Sequence, residues 1–371
     1  MKRTIIIFLL MLLSVSAIAT VQAQDMGPIV RPVYYLAADE NGIQQVYQLL
    51  ISDSTDSARQ ITRATSDVHT FGVSYDGLAV AYISGGQLWL QPIHTETPEA
   101  LATISATNFF GSIVFSQDNQ YIAYADNGVW LLDLGTRETT QLLADVPVQP
   151  DGSNAAEYRI HKPGTFVLGV DGKAAQLVVD IGVWEWKTAG IYDLATGTLQ
   201  VLDGQTHTNV LPLYGDRALI YGNNAVSGDF TLRMAQSLSD INTSTEIVKF
   251  SDLTDVTLWA EQAVEIRPGT VRVFGSSLNL QLGSTGTFYF DYDLMAGTAG
   301  EVQFSDLPVS TMGSTVSGRL SVDGTLLPYY VDALWDELGS IYGALSLRDL
   351  TTGETVAAAF PATVGLFQWQ P

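Results

Sequence analysis

Residues able to do chemistry are few and scattered in this chain. The nearest approach to a hydrolase nucleophile elbow is Gly72-Val73-Ser74-Tyr75-Asp76. A working Gly-x-Ser-x-Gly elbow puts its serine on a strained turn between a strand and a helix. Here Asp76 replaces the second glycine and a strand-like apolar run follows, so Ser74 reads as a cap on local backbone. The four histidines, His69, His94, His161 and His207, never fall at i, i+2 or i, i+4, and each reads as a turn or surface residue. Asp291 and Asp293 alternate in Phe288-Tyr289-Phe290-Asp291-Tyr292-Asp293. Residues two apart share a strand face, so this pair could bind calcium or a sugar hydroxyl. The stretch lacks the glycine-centred loop of a dedicated calcium site, and solvated strand-end acids are the simpler reading. No other cofactor is expected.

The aromatic residues offer binding rather than catalysis. Trp184-Glu185-Trp186 falls in an expected insertion between strands, where Trp184 and Trp186 would share a face. Such a pair can stack on a sugar or anchor a protein partner, although covering the adjacent sheet explains it as simply. Trp335, in Asp332-Ala333-Leu334-Trp335-Asp336, marks a second inter-strand excursion of the same kind.

The elements that must position these residues begin after a processing signal. Lys2 and Arg3 precede an apolar run from Ile5 to Ile18, and Val21-Gln22-Ala23 offers a cleavage site, so residues 1–23 read as a signal peptide. The run is shorter than the ~20 residues of a comfortable bilayer span. Residues 24–371 are then the working domain, secreted or held in the periplasm or cell envelope, with no membrane span after cleavage. The 17 basic residues less Lys2 and Arg3 leave 15 against 39 acidic ones, a net charge near -24. Such a surface repels nucleic acid and anionic lipid. With no Cys, the exported chain relies on packing rather than disulfides.

A degenerate module recurs through the rest of the sequence. An Asp-Gly turn or close substitute is followed by an aromatic-rich apolar strand, a short gap and a second alternating strand. The turns are Tyr75-Asp76-Gly77, Gln117-Asp118-Asn119, Val170-Asp171-Gly172, Tyr214-Gly215-Asp216 and Val322-Asp323-Gly324, with Arg267-Pro268-Gly269-Thr270 standing in for the missing copy. Repeats about 40–50 residues long belong to propeller blades of four strands. The turn residues Asp76, Asp118, Asp171 and Asp323 are therefore expected to accept backbone N–H bonds within their own turns, a structural role.

The first module, Pro32 to Thr62, lacks the strand that elsewhere precedes the turn, and Val364 to Pro371 looks like that strand. We expect Phe367 and Trp369 to complete the N-terminal blade and close the ring, which removes exposed sheet edges. The predicted fold is all-β, a single closed β-propeller of seven blades, with six as the alternative. An open stack or β-sandwich pair would leave the lone last strand unexplained.

At Phe71 to Ile93 the chain resembles the TolB-like propeller family, also described as WD40-like β-propeller repeats. The pattern appears as Val73-Ser74-Tyr75-Asp76-Gly77 before Val80-Ala81-Tyr82, and again as Phe115-Ser116-Gln117-Asp118-Asn119 before Tyr121-Ile122-Ala123-Tyr124. The family's turn proline is absent from both copies. The resemblance implies the scaffold and an extracytoplasmic binding role. The separate N-terminal domain of TolB finds no room between Gln24 and Pro32, and no hydrolase domain follows the closing strand. The expected function is a non-enzymatic, monomeric scaffold binding a protein or glycan. The alternative is a carbohydrate-active enzyme, a glycosidase or lyase, using carboxylates at the central channel.

Overall fold

The computed structural model describes residues 31–51, 58–95, 97–105, 113–149, 151–183, 186–202, 205–224, 228–279, 284–305, 307, 318–335, 341–356, 358 and 360–371. Residues 1–23, read above as a signal peptide, lie outside them. Seven antiparallel sheets follow one another along the chain. Numbered from the N-terminus, blade 2 is Val68–Val73, Ala79–Ser84, Gln87–Pro92 and Glu99–Thr103, from its inner strand outward. Blade 3 is Ile113–Phe115, Tyr121–Ala125, Gly128–Asp133 and Thr139–Ala144. Blade 4 is Ile160–Leu168, Ala174–Val183, Trp186–Asp193 and Thr198–Val201. Blade 5 is Gln205–Leu213, Arg217–Asn224, Phe230–Ala235 and Thr245–Lys249.

Blades 6 and 7 depart from regularity at their edges. In blade 6, Thr257–Arg267, Thr270–Asn279 and Ser284–Asp293 are followed by two short outer pieces, Thr298–Ala299 and Gln303–Ser305, both paired with the third strand. In blade 7, Leu326–Trp335, Ile341–Asp349 and Thr355–Val356 form the named strands. Chain at its inner edge still bonds to the first of them, through Gly318 N–H to Pro328 O at 2.8 Å and Ser321 N–H to Leu326 O at 2.9 Å.

Blade 1 joins the two ends of the chain. Arg31–Ala38, Gln44–Ile51 and Arg59–Gln60 are its second to fourth strands, and Phe367–Trp369 is its inner strand. The register sets Val33 opposite Trp369 and Tyr35 opposite Phe367. Backbone bonds from Gly365 N–H to Leu36 O and from Gln370 N–H to Pro32 O extend the pairing at both ends. The fold is thus a seven-bladed propeller whose C-terminal strand completes the N-terminal blade.

Strand alternation explains why the sheets stack as a ring. Successive side chains point to opposite faces, so a strand between two neighbours must be apolar on both. In blade 1, Tyr34 and Leu36 pack with Phe71 and Tyr82 of blade 2. The intervening Val33 and Tyr35 pack with Tyr330 and Leu347 of blade 7. The same division recurs at every junction, giving separate apolar clusters between blades 2 and 3, 3 and 4, 4 and 5, 5 and 6, and 6 and 7. Seven blades with seven junctions leave no sheet face uncovered.

The hairpins follow the turn chemistry. Gly85 and Gly86 both take positive φ, 59° and 72°, the combination that a two-residue turn between twisted strands requires. One expectation needs correction. The excursion expected around Trp184-Glu185-Trp186 is shorter than its flanks suggested: the second and third strands of blade 4 reach Val183 and Trp186, which pair, and Trp184 and Glu185 lie outside the described residues. Trp335 likewise ends a strand and pairs with Ile341.

Candidate functional site

The turn after the innermost strand of each blade sets one end of the ring. In blade 2, Ser74 Oγ donates to Asp76 Oδ1 at 2.6 Å and accepts from Ala79 N–H at 2.9 Å. Leu78 N–H donates to the Asp76 carboxylate at 3.0 Å. Blade 3 repeats the arrangement with Ser116, Asp118, Gln120 and Tyr121, and blade 7 with Ser321, Asp323, Thr325 and Leu326. In blade 4 the serine position is Gly169, and Asp171 receives Lys173 N–H at 3.1 Å. Glycine at Gly77, Gly172 and Gly324 supplies the positive φ that ends each of these turns.

Some of these turns also tie one blade to the next. Asp118 Oδ2 accepts from Ala174 N–H of blade 4 at 3.0 Å, and Asn119 Oδ1 accepts from Tyr75 N–H of blade 2. Burial works to raise the Asp118 pKa, but hydrogen bonds from Ser116, Ala174 and Gln120 outweigh it and hold the group below its usual value. The Arg272 guanidinium of blade 6 donates to Gly324 O at 2.9 Å and grips Asp291 through two bonds of 2.7 and 2.9 Å. It also lies 4.8 Å from the centre of the Tyr289 ring. Asp293 closes its own turn by accepting from Met295 and Ala296 N–H. The two carboxylates considered for calcium are therefore engaged separately. No group of three or more metal-ligating side chains occurs among the described residues.

At this turn end of the ring, blades 5, 6, 7 and 1 enclose a cleft of about 1130 Å³. Ile266, Pro268, Met295, Val322 and Trp369 give it apolar walls, and Tyr214 stands at its side. Tyr214 is 88% exposed, Met295 85% and Val322 60%, so its rim is open and apolar. Four charged residues line it: Arg217, Glu265, Arg267 and Asp323. Glu265 Oε1 accepts from Gly269 N–H at 2.9 Å, and Asp323 Oδ1 accepts from Ser321 and Thr325. The arginines attach through Nε, Arg217 to Tyr214 O and Arg267 to Thr270 Oγ1.

A second polar group joins blades 4, 5 and 7 elsewhere in the ring. Lys162, on the inner strand of blade 4, pairs in register with Asp180 on the next strand. Burial pulls the Lys162 pKa down, partly opposed by the Asp180 charge. Burial raises the Tyr221 hydroxyl, which Asp180 pushes further up and Arg319 pulls back. Charges from blades 4, 5 and 7 thus act on one another. His161, expected at a turn or surface, is instead buried on the same inner strand. Its Nδ1 lies 3.3 Å from Asp145 Oδ1, and its backbone N–H donates to that oxygen at 2.7 Å.

The predicted aromatic site maps to the other end of the sheets. Trp186 is 40% exposed at the tip where the second strand of blade 4 turns back into the third. Trp335 ends the corresponding strand of blade 7, at the same end as Trp186. Trp184 lies outside the described residues. Phe367 and Trp369 sit in the closing strand, where Trp369 Nε1 donates to Arg319 O at 2.6 Å. Sequence reasoning missed the cleft arginines and the Lys162–Asp180 pair. The pair was hidden because the register shifts twice between the Val170-Asp171-Gly172 turn and residue 162, at Val167/Leu168 and at Pro163/Thr165, and only the cancellation of the two sets 162 opposite 180.

No protein-family profile matches the sequence, and no curated protein matches it. Solved structures do share the fold. A prolyl endopeptidase structure aligns at 12% identity and a TM-score of 0.53, over 90% of this chain and 50% of that one. An oligogalacturonate lyase in complex with manganese aligns at 14% identity and a TM-score of 0.50, over 87% of this chain and 82% of that one. TolB from Acinetobacter baumannii aligns at 12% identity and a TM-score of 0.41, over 74% of this chain and 65% of that one. The chain is similar in fold to the endopeptidase and the lyase, and it spans about two-thirds of TolB and half of the endopeptidase.

Proposed function

We propose that this chain is an exported, non-enzymatic β-propeller of the TolB-like kind that binds a protein or glycan partner at the cell envelope or outside the cell, as a monomer. The observation that carries this reading is the cleft at the turn end of blades 5, 6, 7 and 1. Its carboxylates are engaged by neighbouring backbone and hydroxyl groups, while its rim presents exposed Tyr214, Met295 and Val322. Exposed apolar residues grouped at a concave mouth mark interaction sites. The Ser-x-Asp turns support the TolB-like kinship, and the N-terminal apolar run supports export.

The test is capture of envelope protein extract and of a glycan array by the immobilised protein. The reading expects a ligand that a Tyr214→Ala, Met295→Ser variant loses and a Trp186→Ala variant keeps. Capture insensitive to the cleft substitutions would overturn it.

A second reading, a carbohydrate-active enzyme, draws support from Lys162, an inner-strand amine opposite Asp180 whose pKa burial pulls down, the direction that a general base requires. Cleavage of a panel of neutral and acidic polysaccharides, abolished by Lys162→Ala, would establish that reading in place of the first.

A further inference from the structure

We propose that the cleft binds an extended peptide segment in which a carboxylate sits beside apolar side chains, the carboxylate being held by Arg217 and Arg267. The inference rests on the binding-face reading above and names the chemistry of the partner. The chain carries 39 acidic and 17 basic residues, yet two of those basic groups meet at this one cleft. Each arginine uses Nε on its own turn, to Tyr214 O or Thr270 Oγ1, which fixes the side chain at the wall. Neither forms an ion pair among the described residues.

Two terminal guanidinium nitrogens on each residue then remain to face a ligand, and a guanidinium matches a carboxylate in planar, two-bond geometry. The acids nearby do not compete on equal terms. Glu265 accepts from Gly269 N–H, Asp323 from Ser321 and Thr325, and Asp293 from Met295 and Ala296 N–H. Asp293 does feel the Arg267 charge, which helps hold its pKa down after the backbone bonds have done most of that.

The walls select among anions. Ile266, Pro268, Val322 and Met295 offer aliphatic surface, and of the two aromatic residues Trp369 is 8% exposed, which leaves Tyr214 as a single open platform for a sugar. A methionine at the rim suits varied apolar side chains, because its thioether stem adapts to shape. The volume of about 1130 Å³ exceeds the ~300–1,000 Å³ of pockets for drug-sized ligands, enough for several residues of extended chain. A polyanion such as nucleic acid meets the repulsion of the whole acidic surface, whereas a single carboxylate needs only the two guanidinium groups, charges beyond a Debye length being screened.

A displayed library of random nine-residue peptides, selected on the whole folded protein, tests this. Enriched sequences should share an Asp, a Glu or a free C-terminus next to Leu, Met, Val or Phe. Titration of a selected peptide should show at least tenfold weaker binding when its carboxylate is changed to the amide. Arg217→Gln and Arg267→Gln should each weaken binding about tenfold at unchanged thermal stability, and Trp186→Ala should leave it unaltered. Added salt should weaken the wild-type complex more than the Arg267→Gln complex. Enrichment without a carboxylate, indifference to both arginine substitutions, or no enriched peptide at all would overturn the proposal. Failure with peptides alongside cleft-dependent capture of a glycan would leave the binding-face reading standing and remove only this one.

Discussion

Replacing Asp118 should cost far more stability than replacing Asp171, although both occupy the same place in the repeat. The Asp118 carboxylate accepts from Ser116 Oγ at 2.5 Å, from Gln120 N–H at 3.2 Å and from Ala174 N–H at 3.0 Å. The last of these reaches into the next blade. Asp171 receives the single Lys173 N–H at 3.1 Å on an exposed turn. A hydrogen bond to a charged group contributes ~1.5–3 kcal/mol, and solvent screening at these half-open turns reduces that to about 1 kcal/mol each. Asp118→Ala should therefore cost about 3 kcal/mol and Asp171→Ala about 1 kcal/mol. An unfolding entropy of ~2.1 cal/mol/K per residue turns the first figure into a Tm fall of about 4 °C for a chain this long.

The pH dependence supplies an independent check. Because the folded Asp118 pKa lies below its unfolded value, its contribution is complete above the unfolded pKa near 3.8 and is lost as pH falls through the folded value. The Tm gap between wild type and Asp118→Ala should hold from pH 7 down towards the unfolded value near 3.8 and narrow as pH falls further towards the folded one. Calorimetry across that range decides the matter. Equal losses for the two aspartates, or a gap that widens in acid, would refute the reasoning.

Four further outcomes follow from other parts of the ring. Asp291→Asn strips the partner from Arg272, whose side chain is only 10% exposed, and should destabilise by about 3 kcal/mol; a double-mutant cycle with Arg272→Met should recover much of that loss in a denaturant titration. Trp369→Ala removes a buried indole and its bond to Arg319 O, costing about 3–4 kcal/mol, and hydrogen exchange should quicken first at Val33 to Tyr35. Gly275→Ala would set a methyl group 1.8 Å from Trp259 O and should abolish folding by circular dichroism. Gly172→Ala meets nothing within 4 Å and should cost only about 1 kcal/mol, for its positive φ.

What could be read from the sequence was what is local and periodic. The Ser-x-Asp turn contains its own hydrogen-bond partners within five residues, so Ser74 and Asp76 announce it without any tertiary context. The alternation of Val33-Tyr34-Tyr35-Leu36 records a strand buried on both faces, and the unpaired first module exposed the need for Phe367–Trp369. The blade 4 hairpin misled because its strands run past the packed core. Val183 is buried, but Trp186 and Lys187 are exposed and Gly182 interrupts the apolar pattern, so paired chain looks like a loop. The cleft was illegible for a different reason. Tyr214, Arg267, Val322 and Trp369 come from four blades, and only ring closure brings them together.

The pairing of Val33 with Trp369 carries a consequence for how the molecule forms. Hairpins within a blade are made of neighbours in sequence and can assemble quickly, whereas this contact spans nearly the whole chain. Bringing together ends separated by ~330 residues costs about 5 kcal/mol of chain entropy beyond a constant. Such non-local pairing slows folding. During synthesis the second to seventh blades can be in place while Val33–Leu36 still offers one bare strand edge. Until residues 364–371 arrive, that edge is where the half-made ring is open to pairing with another chain. Closure of the ring is then a competition between a slow intramolecular docking and a concentration-dependent encounter with another chain.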